Sequence, residues 1–111
     1  TAFLIFDRTA SGNTKPLRVI RGPKAAIGGG NQIQVYPPKG WIIGGAQGPG
    51  PSVGVWSITD NGDTAPHWRI PVMQLTGLNV NGVGIDTIHK EIMVPTGNGN
   101  VVMTFFFPEI F

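Results

Sequence analysis

Residues 9–16 have the sequence T-A-S-G-N-T-K-P, and residues 59–66 have the sequence T-D-N-G-D-T-A-P. The two stretches start fifty positions apart, and each has a glycine, Gly12 or Gly62, in the middle of a polar segment. A β-branched or aromatic run precedes each stretch, and a proline ends it. Glycine supplies the positive φ that a hairpin turn requires, and proline is tolerated where the next strand begins. Each stretch therefore predicts a β-hairpin.

The offset of fifty extends well beyond these two stretches. Residues 5–45 align with residues 55–95 without a gap, and 7 of the 41 positions are identical. Because turn residues and apolar positions match together, the pattern indicates a structural repeat more strongly than the identity does. A third copy begins near the end of the chain, where residues 101–105 resemble residues 53–57 after a slip of two positions.

Each copy is made of short segments that alternate polar and apolar side chains or are rich in β-branched residues. Such segments predict β-strands. The chain has 17 glycines and 10 prolines among 111 residues, which favours tight turns and leaves little room for a helix. We expect an all-β protein with nine strands, at residues 3–7, 17–21, 32–36, 41–43, 53–58, 67–70, 83–86, 91–94 and 101–105.

Four strands in a repeat of this length are typical of β-propeller blades. The chain starts at a third strand, so its expected order is third and fourth, then a full set of four, then first to third. The single repeat domain then has a partial blade over residues 1–30, a complete blade over 31–80 and a partial blade over 81–111. A sandwich or another barrel is the alternative, because these folds also use short strands.

Three segments are similar to a known repeat family: F-D-R-T-A-S-G-N-T-K-P-L-R-V-I-R-G-P at 6–23, V-W-S-I-T-D-N-G-D-T-A-P at 55–66 and I-H-K-E-I-M-V at 88–94. They resemble the NHL-type β-propeller repeats of bacterial proteins, over somewhat more than two blades. Residues 44–46 and 95–97 depart from the V-A-D phrase of that family. The resemblance implies a propeller fold. It implies little about function, because the family mostly supplies binding surfaces and only some members are hydrolases or lyases.

A partial blade leaves strand edges open, and a single blade cannot bury its own faces. We therefore expect the chain to bind copies of itself, in a closed ring or in an open fibre. A trimer would supply six blades, with the N-terminal strands of one subunit completing the C-terminal blade of the next. One strand is then left over and must lie elsewhere. The expected assembly edges are Phe3, Leu4, Ile5, Val101, Met103 and Phe105.

Ligand binding, to a glycan in a lectin-like oligomer or to a peptide, is the second expected role. Aromatic rings in clefts between blades can stack on such ligands, although packing between blades is the simpler role for them. The aromatic candidates are Tyr36, Trp41, Trp56 and Trp68. The polar candidates, at the ends of the innermost strands, are Asn31, Gln32, Gln34 and Asn81.

The sequence predicts no enzyme, no cofactor and no metal site. Cysteine is absent, which excludes disulfides and Cys-ligated zinc. His67 and His89 have no metal-ligand spacing and are expected at turns or on the surface. Residues 60–63 lack the alternating carboxylates of a calcium loop, and residues 28–30 are not followed by a helix that could bind phosphate. The alternative is that the chain is a fragment of a larger propeller hydrolase or lyase.

Charge and hydropathy exclude two further classes of partner. The net charge is +2 and the basic residues are scattered, whereas a nucleic-acid surface usually concentrates them. No apolar run reaches the roughly 18 residues of a membrane span, and we expect no signal peptide. Charged residues make up 13% of the chain, which, with the absence of cysteine, favours an extracellular setting.

Overall fold

Nine β-strands form most of the regular structure in this computed structural model, which describes residues 1–28, 32–97 and 99–111. The all-β class and the nine strands predicted from the sequence are confirmed. The strands are β1 (Phe3–Ile5), β2 (Arg18–Ile20), β3 (Gln34–Tyr36), β4 (Trp41–Ala46), β5 (Ser52–Ser57), β6 (Trp68–Ile70), β7 (Gly84–Asp86), β8 (Glu91–Pro95) and β9 (Val102–Phe106).

Two short helical segments occur where the sequence predicted none. The helix α1 (Val72–Thr76) follows Pro71 and ends at Gly77, whose backbone is left-handed with φ 75° and whose N–H donates to Met73 O. Proline before and glycine after a single turn are common helix boundaries, but one turn is too short to produce a periodic pattern. A 3-10 helix, Pro108–Ile110, lies near the end of the chain. No helix among the described residues has the length and apolar content needed to cross a membrane.

The strands form three antiparallel sheets that follow one another along the chain. The first sheet contains β1 and β2, the middle sheet has the order β3-β4-β5-β6, and the last sheet has the order β7-β8-β9. Every connection between neighbouring strands within a sheet is a hairpin or a longer antiparallel loop, so no sheet contains a crossover. The described chain therefore carries two, four and three strands in succession.

The repeat of fifty residues is present in the strand register. Corresponding cross-strand pairs are Phe3↔Ile20 with Val53↔Ile70, and Gln34↔Ile43 with Gly84↔Met93. Equivalent turn bonds repeat as well, because Leu17 N–H donates to Ile5 O at 2.7 Å and His67 N–H donates to Val55 O at 2.8 Å. The two halves thus share their hydrogen-bonding pattern as well as their sequence pattern.

The register of strand β9 departs from the fifty-residue repeat by less than the sequence predicted. Trp41 pairs with Ser57 in the middle sheet, and Glu91, fifty positions after Trp41, pairs with Phe106 in the last sheet. Phe106 lies 49 positions after Ser57, so β9 is displaced by one position, and the expected slip of two was wrong. Side chains alternate between the faces of a strand, so a slip of one rather than two decides which residues face the core.

Two hydrophobic cores lie on opposite faces of the middle sheet. The core between the first and middle sheets consists of Phe3, Ile20, Ala25, Ile42, Ala46 and Trp56. The core between the middle and last sheets is larger and includes Ile43, Val53, Val55, Ile70, Ile92 and Val94. Neighbouring residues of β4, Ile42 and Ile43, belong to different cores because successive side chains of a strand point to opposite faces. The middle sheet therefore packs against the first sheet on one face and against the last sheet on the other.

Candidate functional site: the groove beside β1

An apolar groove of about 330 Å³ lies between the edge of β1 and the middle sheet. Its lining comes from Phe3, Leu4 and Ile5 on one side and from Ile33, Val35 and Ile58 on the other. Among the described residues, β1 pairs only with β2, so its second edge has no strand partner. The groove thus combines exposed apolar side chains with an open strand edge.

The groove differs from its counterpart fifty residues later, which the chain itself covers. Val35 and Ile33 are 48% and 51% exposed. Their counterparts in the last sheet are Ile85, which packs against the larger core, and Val83, which is 2% exposed. At the last sheet these positions are shielded by the middle sheet in front of them. In front of the middle sheet, the first sheet supplies only two strands, so the corresponding surface stays open.

The repeat relates the strands of the flanking sheets to those of the middle sheet. Strand β1 is equivalent to β5, which is the third strand of the middle sheet, and β2 is equivalent to β6, the fourth. Among the described residues, the first sheet therefore has counterparts of the third and fourth strands of the middle sheet only. The described strands of the last sheet are equivalent to the first three strands of the middle sheet.

Strand β9 is less buried than its equivalent in the middle sheet. All but the last residue of β5 are buried, whereas no residue of β9 is. Phe106 in β9 is 70% exposed and Val102 is 66% exposed. The expected edge residues Met103 and Phe105 pack against the larger core, and Val101 lies just before the strand, where its carbonyl accepts a hydrogen bond from Thr96 N–H.

Three of the four candidate aromatic residues contact residues 107–111. Tyr36 packs against Phe111 with ring centroids 5.2 Å apart, and Trp68 packs against Phe107 at 6.0 Å. Trp41 donates from Nε1 to Ile110 O at 3.0 Å, and its ring lies 5.8 Å from His67. These rings hold residues 107–111 against the middle sheet.

Trp56, the fourth aromatic candidate, is fully buried. Its ring contacts Phe3 edge-on at 5.1 Å, and its Nε1 donates to Thr64 O at 3.1 Å. The side chain therefore packs between the first and middle sheets and offers no surface on which a ligand could stack.

The polar candidates lie near two equivalent clefts between sheets. Asn81 lines a cleft of about 320 Å³ between the middle and last sheets, together with Gln47 and Asn79. Gln32 lines a cleft of about 270 Å³ between the first and middle sheets. Gln34 is partly exposed on β3, and Asn31 lies outside the described residues. The amide side chains are thus distributed over two small openings.

The histidines each contact a carboxylate. His67 Nε2 lies 2.9 Å from Asp60 Oδ2, whose other partner is the backbone N–H of Ser57. The Ser57 hydroxyl contacts Thr59 Oγ1 at 2.7 Å and accepts from Thr59 N–H. The serine hydroxyl is therefore engaged by Thr59, and these residues do not form a nucleophile-and-base pair.

His89 belongs to a cluster that sequence reasoning missed. Ligand atoms of Asp86, His89 and Glu91 all lie within 4.8 Å of one another. The spacing D-x-x-H-x-E was the available signal, because a hairpin turn between residues 86 and 91 brings its two ends together. The hydrogen bond from His89 lowers the pKa of Asp86 below its ordinary value, and the same bond, with the attraction of the carboxylate, raises the pKa of His89.

Comparison with known proteins leaves the chain without a family assignment. No family model matches it, and neither the curated proteins nor the solved structures include a significant match.

Proposed function

We propose that the chain is a run of NHL-type β-propeller blades whose function is to associate with further copies of itself. In this arrangement the last sheet of one copy completes the first sheet of the next. The groove beside β1 is the observation on which this proposal rests. There the middle sheet exposes side chains whose counterparts in the last sheet pack against the larger core.

The sheet arrangement supports the blade interpretation. The middle sheet has four antiparallel strands in sequential order, as a blade does, and a two-stranded and a three-stranded sheet pack against its two faces. The matching register fifty residues apart indicates that the flanking sheets are incomplete versions of the same unit. The open edge of β1 and the exposed apolar groove beside it favour association, because repeats are stabilised by their neighbours.

The repeat specifies how two copies fit together. In one copy β7 and β8 are the first and second strands of a blade. Placed beside β1 of the next copy, they give the order β7-β8-β1-β2. The outward face of β8, which carries Met93, then lies over Val35 and Ile42 of the second copy. This contact is the counterpart of the one between the middle and last sheets within a chain.

Association requires β9 to leave β8. Strands β9 and β1 are both third strands, so they compete for the same edge of β8. The exposed side chains of β9 favour its displacement over that of β1, because Phe3 in β1 is anchored in the core beside Trp56. The displaced segment stays attached through residues 107–111, which the aromatic contacts hold on the middle sheet.

The molar mass in solution is the direct test. We expect sedimentation velocity and light scattering to show particles larger than 11.8 kDa, growing with protein concentration in a fibre and stopping at a fixed size in a ring. A single 11.8 kDa species across the accessible concentration range would exclude self-association.

An engineered disulfide tests the proposed register. Ile43 pairs with Val55 in the middle sheet, so the equivalent contact between copies joins Met93 of one to Ile5 of the other. The chain has no cysteine of its own, so Ile5→Cys with Met93→Cys gives a clean background. We expect a ladder of disulfide-linked chains on mild oxidation. Leu4→Cys with Met93→Cys is the control, because neighbouring residues of a strand face opposite sides.

Substitutions in the groove distinguish this surface from others. Val35→Asp and Ile33→Asp place a charge where the structure leaves the side chain half exposed, so the monomer retains its fold while the contact is lost. The control is Leu75→Asp on α1, which is 63% exposed and away from the groove. Loss of association in the control, or its retention in both groove variants, would contradict the proposed surface.

A second candidate function is the recognition of a small polar ligand, such as a glycan, in the cleft that Asn81 lines. Three amide side chains around one opening favour it, because amides offer both donors and acceptors to hydroxyl groups. Amide chemical shifts of residues 47, 79 and 81 in a glycan titration test it. Chemical shifts that stay constant in every glycan titration would argue against ligand recognition in this cleft.

A further inference from the structure

The β7–β8 hairpin places three different ligand groups together at its turn. Asp86 ends β7 and Glu91 starts β8, and the two residues are direct cross-strand partners. His89 lies in the turn between them, and its Nδ1 is 2.7 Å from Asp86 Oδ2. The ligand atoms of the three side chains lie within 4.8 Å of one another. Ligand atoms around one tetrahedral ion lie about 3.3–3.6 Å apart, so these side chains need to close by only about 1.5 Å at most to share an ion.

The first copy of the hairpin shows that the fold does not require these residues. The equivalent cross-strand pair is Tyr36 with Trp41, and the residue equivalent to His89 is Lys39. Both hairpins have the same register, so the turn forms with aromatic residues at its base. Two carboxylates facing each other across a strand pair are unfavourable unless a positive charge lies between them. The second copy therefore places two carboxylates opposite each other at a position where the fold does not require them.

Asp86 is already fixed in position for a ligand. Its Oδ1 accepts hydrogen bonds from Ile88 N–H at 3.0 Å and His89 N–H at 3.1 Å. These bonds fix the orientation of the carboxylate, so that its other oxygen, Oδ2, faces His89. The His89 side chain is 70% exposed, so an ion and its remaining water ligands can reach the site from solvent.

We propose that Asp86, His89 and Glu91 form a binding site for one divalent transition-metal ion, such as Zn²⁺ or Co²⁺. The ion takes the place of the proton on His89 Nδ1. A protonated ring releases this proton to solvent and keeps the one on Nε2, whereas a neutral ring exchanges it for a proton on Nε2. The imidazole favours these ions over Mg²⁺ and Ca²⁺, which prefer oxygen ligands alone. Three protein ligands and one or more waters complete the coordination. This site is independent of the proposed self-association.

Calorimetric titration of the full, untagged chain with Zn²⁺ tests the site. We expect saturable binding of one ion per chain, and His89→Ala and Glu91→Gln each to weaken the affinity at least about tenfold. His67→Ala and Glu109→Gln are matched controls, each removing the same kind of group elsewhere, and both retain the wild-type affinity. Absence of saturable binding, or equal affinity in His89→Ala and Glu91→Gln, would overturn the proposal.

Paramagnetic broadening of the wild-type chain provides a second readout that needs no variant. Added Co²⁺ should broaden the amide signals of residues 86–91 first, ahead of those around the Asp60–His67 contact. Broadening that starts elsewhere, or that is uniform, would place the ion outside this hairpin and would also overturn the proposal.

Discussion

Gly40 and Lys90 stand at the same position of two hairpin turns fifty residues apart, and both have a left-handed backbone, with φ of 67° and 59°. The carbonyl of each accepts a hydrogen bond from the residue that follows the sheet's third strand, from Ile58 N–H at 2.8 Å after β5 and from Phe107 N–H at 2.9 Å after β9. This backbone conformation is easy for glycine and costs about 1–2 kcal/mol for other residues. We expect Lys90→Gly to raise the free energy of unfolding by about 1 kcal/mol in urea titrations.

The reverse change in the first turn should destabilise the protein. Gly40→Ala adds a Cβ in a left-handed backbone and brings it within 3.3 Å of Ile58 Cγ1, so we expect a loss of about 1–2 kcal/mol. Lys90→Ala separates backbone strain from charge, because it removes the amine and keeps the strain. If Lys90→Gly is no more stable than Lys90→Ala, the left-handed backbone at this position carries no measurable strain.

Gly54 is required by the ring of Trp56. A Cβ at Gly54 would lie 2.6 Å from Trp56 Cη2 and 2.8 Å from Cζ3, and the ring is fully buried. Overfilling a packed core costs about 1–3 kcal/mol, so we expect Gly54→Ala to lower stability by that amount. Trp56→Phe shortens the ring, and the double variant should lose less than the sum of the single losses. Additive losses in this cycle would contradict the contact.

The sequence predicted the strands well because their signal is local. Alternation, β-branched residues and turn glycines act within a few positions, and the register between Phe3 and Ile20 follows once the turn at Gly12 is placed. The slip of β9 depends on the loop before it, which has no counterpart of equal length in the other copy. The helix α1 is a single turn between Pro71 and Gly77, too short for a periodic signal.

Asp63, in the loop between β5 and β6, binds the segment that connects β2 to β3. Its Oδ1 accepts hydrogen bonds from Lys24 N–H at 2.7 Å and Ala25 N–H at 3.0 Å. We expect Asp63→Ala to lower the free energy of unfolding by about 1–2 kcal/mol, because two backbone donors lose a charged acceptor.

Asn13 provides the matched control for Asp63. It is the equivalent residue in the first copy, and among the described residues no sheet packs against it as the first sheet's loop packs against Asp63. We expect Asn13→Ala to change stability by less than about 0.5 kcal/mol. Equal effects of the two substitutions would mean that Asp63 acts within its own turn rather than between sheets.

The candidate sites were harder to predict than the strands because they depend on contacts between distant segments. The sequence does not distinguish Trp56 from Trp68, yet Trp56 is buried beside Phe3 and Trp68 packs on Phe107. The groove lies where the described part of the first sheet has two strands facing four, and Val35 in it has the pattern of an ordinary strand residue. Only the cluster at residues 86–91 had a local spacing that sequence analysis could have used.

Asp7 gives the first hairpin a dependence on pH. Its Oδ1 accepts from the Thr9 hydroxyl at 2.5 Å and from Thr9 N–H at 2.9 Å. The hydroxyl bond, followed by the backbone bond, lowers the pKa of Asp7 below its ordinary value. The unfolded chain then binds the proton more tightly, so the stabilisation is complete above the unfolded pKa of about 3.9 and is lost as pH falls through the lower folded value.

Two variants test this dependence. Thr9→Val removes the hydroxyl bond, and we expect the pKa of Asp7, followed by carbon NMR, to rise towards its ordinary value. Asp7→Ser introduces the residue of the second copy, Ser57, whose Oγ accepts from Thr59 N–H at 3.1 Å without titrating. Acidification from about pH 5 to about pH 2 should therefore destabilise Asp7→Ser less than the wild type, since only the wild type protonates an acceptor of this turn. An unchanged Asp7 pKa in Thr9→Val would show that the backbone bond alone causes the shift.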